Sequence, residues 1–130
     1  MKSPRTGARL LLDTHVLIWW DTGRDFAAKA MAAIRDADQV YVSAASAWEM
    51  AIKASLGRIE TDRRLGEVAI QSGFEELPIR ISHAEAVETL PPHHRDPFDR
   101  ILVAQASVEG LVLVTRDQLI RRYDVEVLDA

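Results

Sequence analysis

Apolar residues along this chain fall into short blocks of two kinds, and the two kinds alternate. RLLLD (9–13) is apolar without interruption and ends in an acid. A run of that kind fits a strand covered on both faces, as in parallel sheets. QVYVS (39–43) is β-branched and aromatic, a second strand. LVLVT (111–115) is the clearest buried strand. EELPI (75–79) is a weak strand whose proline suggests an edge, and VEVL (125–128) reads as a last edge strand. Between them the apolar positions take helical density. HVLIWWDTG (15–23) stops at Gly23, and Ala-rich DFAAKAMAAIRDA (25–37) places Asp25 where an N-cap belongs. AASAWEMAIKASLG (44–57) and RRLGEVAIQSG (63–73) are helices closed by glycine. SHAEAVETL (82–90) opens with Ser82 and Glu85 in a capping-box pattern. PPHHRD (91–96) is loop, and PFDRILVAQASVEG (97–110) is a helix with proline first and glycine last. RDQLIRRY (116–123) predicts a short helix, and residues 1–8 a short leader.

Strands alternating with helices mean βα units. The fold class is therefore α/β, with a mostly parallel sheet of four to five strands covered by helices on both faces. At 130 residues, without internal repeat or linker, residues 1–130 read as one domain. Ligands in such sheets sit beyond the carboxyl ends of the strands, near a topological switch point.

Composition narrows the chemistry. The chain has no cysteine, which excludes disulfides, zinc–thiolate sites, iron–sulfur clusters and a cysteine nucleophile. Its net charge of -4 argues against coating nucleic acid by bulk charge. No apolar run is long enough for a signal peptide or a membrane helix, so a cytoplasmic bacterial or archaeal protein is expected.

Acids stand at the carboxyl ends of these strands. Asp13 follows the first strand, Asp117 comes two residues after LVLVT, and Glu49 lies two turns into the helix after QVYVS. Asp96 and Asp99 flank the start of the helix at 97. Each Asp has a plain alternative as a helix cap, the more natural role for Asp96. Glu49 resists that reading, because Ala45, Trp48, Ala51 and Ile52 suggest a largely buried helix, and buried glutamates are rare unless paired. Acids converging on one rim cannot all stay ionised without a cation. Oxygen ligands without cysteine or a histidine cluster suit Mg²⁺ or Mn²⁺. A carboxylate-held pair of such ions supports phosphodiester hydrolysis.

The strings LLLDTHVLIW (10–19), SAASAWEMAIKASLGRI (43–59), LPPHHRDPFDRILVAQA (90–106) and LVTRD (113–117) resemble the PIN-domain nucleases, and within them the VapC-like toxins of type II toxin–antitoxin pairs. The resemblance implies an α/β/α sandwich and Mg²⁺-dependent endoribonuclease activity on single-stranded or loop RNA, with 5′-phosphate and 3′-hydroxyl products. It also implies a cognate antitoxin that occludes the site, and a homodimer. Residue by residue, it makes Asp13, Glu49, Asp99 and Asp117 the four catalytic, metal-binding acids. Asp96 becomes an additional candidate, as a base behind the ligands or as a cap. Thr14 and Thr115 resemble the hydroxyl residues flanking the first and fourth acids, expected to hydrogen-bond carboxylates or the attacking water.

Other residues carry two readings each. Arg95, Arg100 and Arg116 either grip RNA phosphates or offset the local negative charge. His15, His93 and His94 could suggest a histidine site. For the adjacent pair His93–His94, a solvated loop touching substrate is favoured. Lys53 pairs with Glu49 at i,i+4. Trp19, Trp20 and Trp48 either stack on bases or pack, and packing is favoured for Trp48. Exposed aromatics near 19–26 would suit antitoxin or a second copy. Two rival functions remain. One is a haloacid-dehalogenase-like phosphatase, which needs a second Asp where His15 stands; the other is a catalytically silent PIN-like module that only binds a partner.

Overall fold

A computed structural model describes residues 8–23, 27–58 and 63–130. Five strands, β1 (Arg9–Leu12), β2 (Gln39–Ser43), β3 (Glu75–Leu77), β4 (Val112–Thr115) and β5 (Val127–Asp129), form one sheet in the order β3-β2-β1-β4-β5. Every pairing is parallel. The chain winds outward from β1 through β2 to β3, then returns to the other side of β1 for β4 and β5. The switch point of the topology therefore lies between β1 and β4.

Six helices cover the sheet: α1 (Thr14–Thr22), α2 (Ala28–Asp36), α3 (Ala44–Ser55), α4 (Leu65–Gln71), α5 (Ile81–Ala86) and α6 (Pro97–Glu109). Two 3-10 turns, Val87–Thr89 and Ile120–Arg122, complete the described elements. Side chains alternate across a strand, so each strand supplies two cores. Leu10, Leu12, Val40, Val42, Val112 and Val114 pack with Val16 and Leu17 of α1, Ile34 of α2 and Val68 of α4. Leu11, Leu77 and Leu113 face the other way, onto Leu102, Val103 and Ala106 of α6 and onto Ile120 and Tyr123. Leu10, Leu11 and Leu12 are all fully buried, as an unbroken apolar run requires. Both weak strands lie at edges, where EELPI and VEVL were expected.

A buried polar chain runs through the α6 side of the sheet. The Ser43 hydroxyl donates to Gln105 Oε1 at 2.6 Å, and Gln105 Nε2 donates to the Pro78 carbonyl at 3.2 Å. His83, also fully buried, accepts the Arg80 N–H at Nδ1 (2.9 Å) and meets Glu109 Oε2 at 2.8 Å through Nε2.

Several local expectations change. Helix α5 begins at Ile81, so its third residue is His83, whose ring takes the place of the predicted Ser82–Glu85 box. Helix α2 begins at Ala28 behind Ala27, which makes no side-chain cap; Asp25 lies outside the described residues, as do residues 1–7 of the expected leader. RDQLIRRY is a 3-10 turn rather than a helix, because the Asp117 carboxylate takes the N–H groups of Leu119 and Ile120 and tightens the chain there. Helix α3 is buried on only one face: Ala45, Ser46, Glu49 and Met50 are inside, whereas Trp48 is 58% exposed and Ala51 and Ile52 also face out. Among the described residues no helix is long and apolar enough to cross a membrane.

Replacing Gln105 by Leu removes a hydrogen-bond acceptor from the Ser43 hydroxyl and a donor from the Pro78 carbonyl while keeping the volume. Stability should fall by about 2–3 kcal/mol in a urea titration. A loss below about 0.5 kcal/mol would show that the chain of bonds contributes little.

Candidate active site

The switch point gathers acids from three separate elements. Asp13 prolongs β1, its N–H donating to the Val114 carbonyl of β4 at 3.0 Å. It is at once a cap and a buried acid: Oδ1 accepts the His15 N–H at 3.1 Å, and Oδ2 accepts the Thr115 hydroxyl at 2.6 Å. Thr115 ends β4, and its Oγ1 also accepts the Asp117 N–H at 3.0 Å. One hydroxyl thus ties the acid after β1 to the acid after β4. Asp117 repeats the division of labour. Its Oδ1 accepts from Leu119 at 2.7 Å, and its Oδ2 faces His94 Nε2 at 2.9 Å.

Asp96 and Asp99 separate in role. Asp96 caps α6, accepting from Phe98 at 2.8 Å and Asp99 at 3.4 Å through Oδ1. Asp99 sits one turn into α6 and meets the same His94 Nε2 at 3.1 Å. Burial, followed by the nearby carboxylates of Asp13, Asp96 and Asp117, pushes the Asp99 carboxyl up to about 7, with His94 offsetting part of the rise. Burial also acts to raise Asp117, but hydrogen bonds from His94, Leu119 and Ile120 outweigh it and hold that carboxyl below its ordinary range. Ligand atoms of His94, Asp99 and Asp117 lie within 4.8 Å of one another.

Glu49 enters from α3. It is buried and paired with Lys53, Nζ to Oε2 3.4 Å. Ser46, one turn earlier on the same face, accepts the Thr14 hydroxyl at 2.8 Å and ties α3 to α1 beside Asp13. Thr14 therefore bonds a serine and no carboxylate, unlike Thr115, because Ser46 lies directly opposite it in the α1–α3 contact. Trp48, expected to be packed inside, lies on the exposed face of α3 and meets Phe98 of α6 edge-on at 5.1 Å. Trp19 and Trp20 are half-buried: the Arg116 guanidinium lies over Trp19 at 4.3 Å, and Trp20 Nε1 donates to Ser72 at 3.1 Å.

The arginines divide as well. Arg95 is exposed. Arg116 donates from Nε to the Ala130 carbonyl at 3.0 Å. Arg100 is not available to a phosphate in this arrangement. Its guanidinium donates to the carbonyls of Val87, Leu90, Pro91 and His94 and to the Tyr123 hydroxyl, and so fastens the loop before α6. Sequence reasoning also placed His94 wrongly. It belongs to no solvated loop but stands between Asp99 and Asp117, its Nδ1 accepting the Asp96 N–H at 3.1 Å. A histidine two residues before a capping aspartate was the available signal. His15 remains at the margin, 3.9 Å from Asp13 Oδ1.

The donor set is carboxylate oxygen crowded enough to raise the pKa of one member, the condition that a hard divalent cation relieves. Residues 10–126 match the PIN domain. The chain belongs to the PIN-domain family. It is 31% identical over 123 residues to Ribonuclease VapC22 of Mycobacterium tuberculosis, an alignment spanning 88% of this chain and 91% of that protein. The same PIN fold recurs in VapBC2 of Rickettsia felis, solved bound to a DNA fragment from its promoter, with TM-score 0.70 and 11% identity over 93% of this chain and 98% of that one. It recurs in a toxin–antitoxin complex from Klebsiella pneumoniae, with TM-score 0.64 and 22% identity over 92% and 95% of the two chains. Membership in the PIN family removes the phosphatase alternative.

The raised Asp99 carboxyl makes a prediction for the metal-free PIN domain. Its pKa rises on folding from 3.8 to about 7. The folded state therefore holds a proton that the unfolded chain releases, and stability falls as pH climbs from about 4 to about 7, then levels. Asp99→Asn should raise the melting temperature at pH 7.5 in EDTA, by on the order of 2 kcal/mol in stability, and have little effect at pH 4. An equal effect at both pH values would rule out Asp99 as the titrating group.

Proposed function

We propose that this PIN domain is a VapC-type ribonuclease toxin, a metal-dependent endoribonuclease held in check by a cognate antitoxin. The observation that carries the reading is the acid cluster at the switch point, crowded enough to bring Asp99 near neutrality. The likeness to Ribonuclease VapC22 across 88% of the chain supports RNA as the substrate. The toxin–antitoxin complexes among the structural relatives support a protein partner, with a homodimer and a cytoplasmic setting as further parts of the proposal.

Asp13, Asp99 and Asp117, with Glu49 from α3, would hold one or two Mg²⁺ ions, for which Mn²⁺ can substitute. A cation held by carboxylates makes water nucleophilic near neutral pH and stabilises the leaving oxygen of a phosphodiester. The residues of the chain do the rest. Asp13 and Asp117 each give Oδ1 to local backbone N–H groups and keep Oδ2 facing inward. Thr115 fixes Asp13, and Asp99 would have to be ionised to serve as a ligand. Asp96 acts as the cap of α6 and as a charge on Asp99, while Lys53 steadies Glu49. Arg95 and Arg116 remain candidates for phosphate contact at the rim. Trp48, beside Glu49 and largely exposed, offers a face on which a base can stack. With water as the nucleophile in place of the 2′-hydroxyl, the products carry 5′-phosphate and 3′-hydroxyl ends.

Purified protein incubated with total cellular RNA should yield discrete fragments with 5′-phosphate ends in Mg²⁺ or Mn²⁺ and none in EDTA. Asp13→Asn, prepared in parallel, should lose at least about 100-fold in rate, as expected when a group that organises transition-state charge is removed. Expression without an antitoxin should arrest growth, and Asp13→Asn should relieve the arrest. Intact RNA together with a melting temperature unmoved by metal would establish the silent partner-binding module instead.

A further inference from the structure

We propose that His94 is a positioning residue that holds Asp117 by its Nε2–H and sets Asp99 by close contact with the same nitrogen, and that it is not itself a ligand of the cation. The inference rests on the reading that these two acids hold the metal. His94 has the proximity of a ligand, because its ring nitrogen and the two carboxylates lie within 4.8 Å of one another. Its hydrogen bonds assign it differently. The backbone N–H of Asp96 points at Nδ1 from 3.1 Å, and a backbone N–H can only donate. Nδ1 therefore carries a lone pair, and the proton of the neutral ring sits on Nε2. That proton is donated to Asp117 Oδ2 at 2.9 Å, and Asp99 Oδ2 lies in close contact with the same nitrogen at 3.1 Å. Ligation through Nε2 would move the proton to Nδ1, where it would collide with the Asp96 N–H at the entrance to α6.

The ring has little freedom to turn. Only 12% of its side chain is exposed. The His94 N–H donates to the Tyr123 hydroxyl at 2.9 Å, and its carbonyl accepts from Arg100 at 3.4 Å. Arg100 also donates to the Tyr123 hydroxyl, so a closed set of bonds fastens the loop to both α6 and the turn after β4. Asp99 comes from α6 and Asp117 from the end of β4, and no covalent geometry fixes one against the other. His94 supplies that link. Groups behind metal ligands commonly orient them in this way, at a cost of about 10–100-fold in affinity when removed.

Two substitutions separate the halves of the ring. His94→Gln keeps an N–H where Nε2 stands and gives up the Nδ1 acceptor. His94→Asn keeps an acceptor near Nδ1 and gives up the donor. Mg²⁺ affinity by calorimetry should stay within about 3-fold of the original chain in His94→Gln and weaken about 10-fold or more in His94→Asn. Long-range ¹H–¹⁵N spectra of the unmutated protein supply a readout independent of activity. They should show the His94 proton on Nε2 both without and with Mg²⁺. A proton on Nδ1 in either state overturns the proposal, as does equal Mg²⁺ affinity in both variants. If the unmutated chain binds no Mg²⁺, the metal reading fails, while the spectrum of the metal-free protein still decides the tautomer.

Discussion

Carboxylates forced together at one edge of a parallel sheet are the constraint around which this molecule is arranged. Like charges in a partly buried setting repel and resist desolvation. The fold overcomes this by using backbone geometry that leaves the acids no alternative position. Three fully buried leucines of β1 deliver Asp13 to the rim, and the ladder bond to Val114 holds it there. Capping absorbs one oxygen of Asp13, Asp96 and Asp117, and Thr115 bridges the strands. Capping and site formation are therefore not competing explanations for Asp13 and Asp117: each carboxylate does both, with different oxygens.

The loop before α6 shows how an irregular segment is made exact enough to serve such a site. Arg100 reaches back from α6 and collects carbonyls from Val87 to His94, the task for which a guanidinium fork is suited. Tyr123 closes the set from the far side of β4. Its ring also packs against His93 and belongs to the core beneath α6. Packing of the second core, the course of the loop and the setting of His94 are consequently one structural problem.

Much of this was legible in the chain. Unbroken apolar runs announced a parallel sheet, and acids at strand ends announced the cluster that the fold gathers at the switch point. Both follow from short-range patterns that the fold preserves. The errors fell where a side chain's partner is distant in sequence. Arg100 beside Asp99 left a phosphate grip and charge balance equally open, because nothing local reveals five acceptors contributed by a loop and by Tyr123. His94 looked solvated because its acceptors come from two other elements. Thr14 was expected to bond a carboxylate or the attacking water, and its hydroxyl donates to Ser46 on α3. Packing was favoured for Trp48, which does pack edge-on against Phe98 but stays 58% exposed, because only one face of α3 is buried.

The placement of charge also bears on how an acidic PIN domain engages RNA. With net charge -4 and the Arg100 fork committed to the loop, Arg95 and Arg116 are the arginines proposed beside the acids to meet a polyanion. Attraction to phosphate on the proposed reading must therefore come chiefly through cations held by the acids. Affinity and chemistry would then share one origin: without metal the rim would repel RNA, and with metal the same carboxylates would present it with a positive centre. Binding of this kind releases few counterions, so its salt dependence is shallow compared with that of a basic groove. Selectivity between RNAs would fall to the surfaces around the metal, where Trp48 and Phe98 stand beside Glu49 and Asp99 in the chain. On the proposed reading the labour divides, with charge supplied by the ion and shape by the aromatic rim, so that a chain of net charge -4 would not need bulk positive charge to act on nucleic acid.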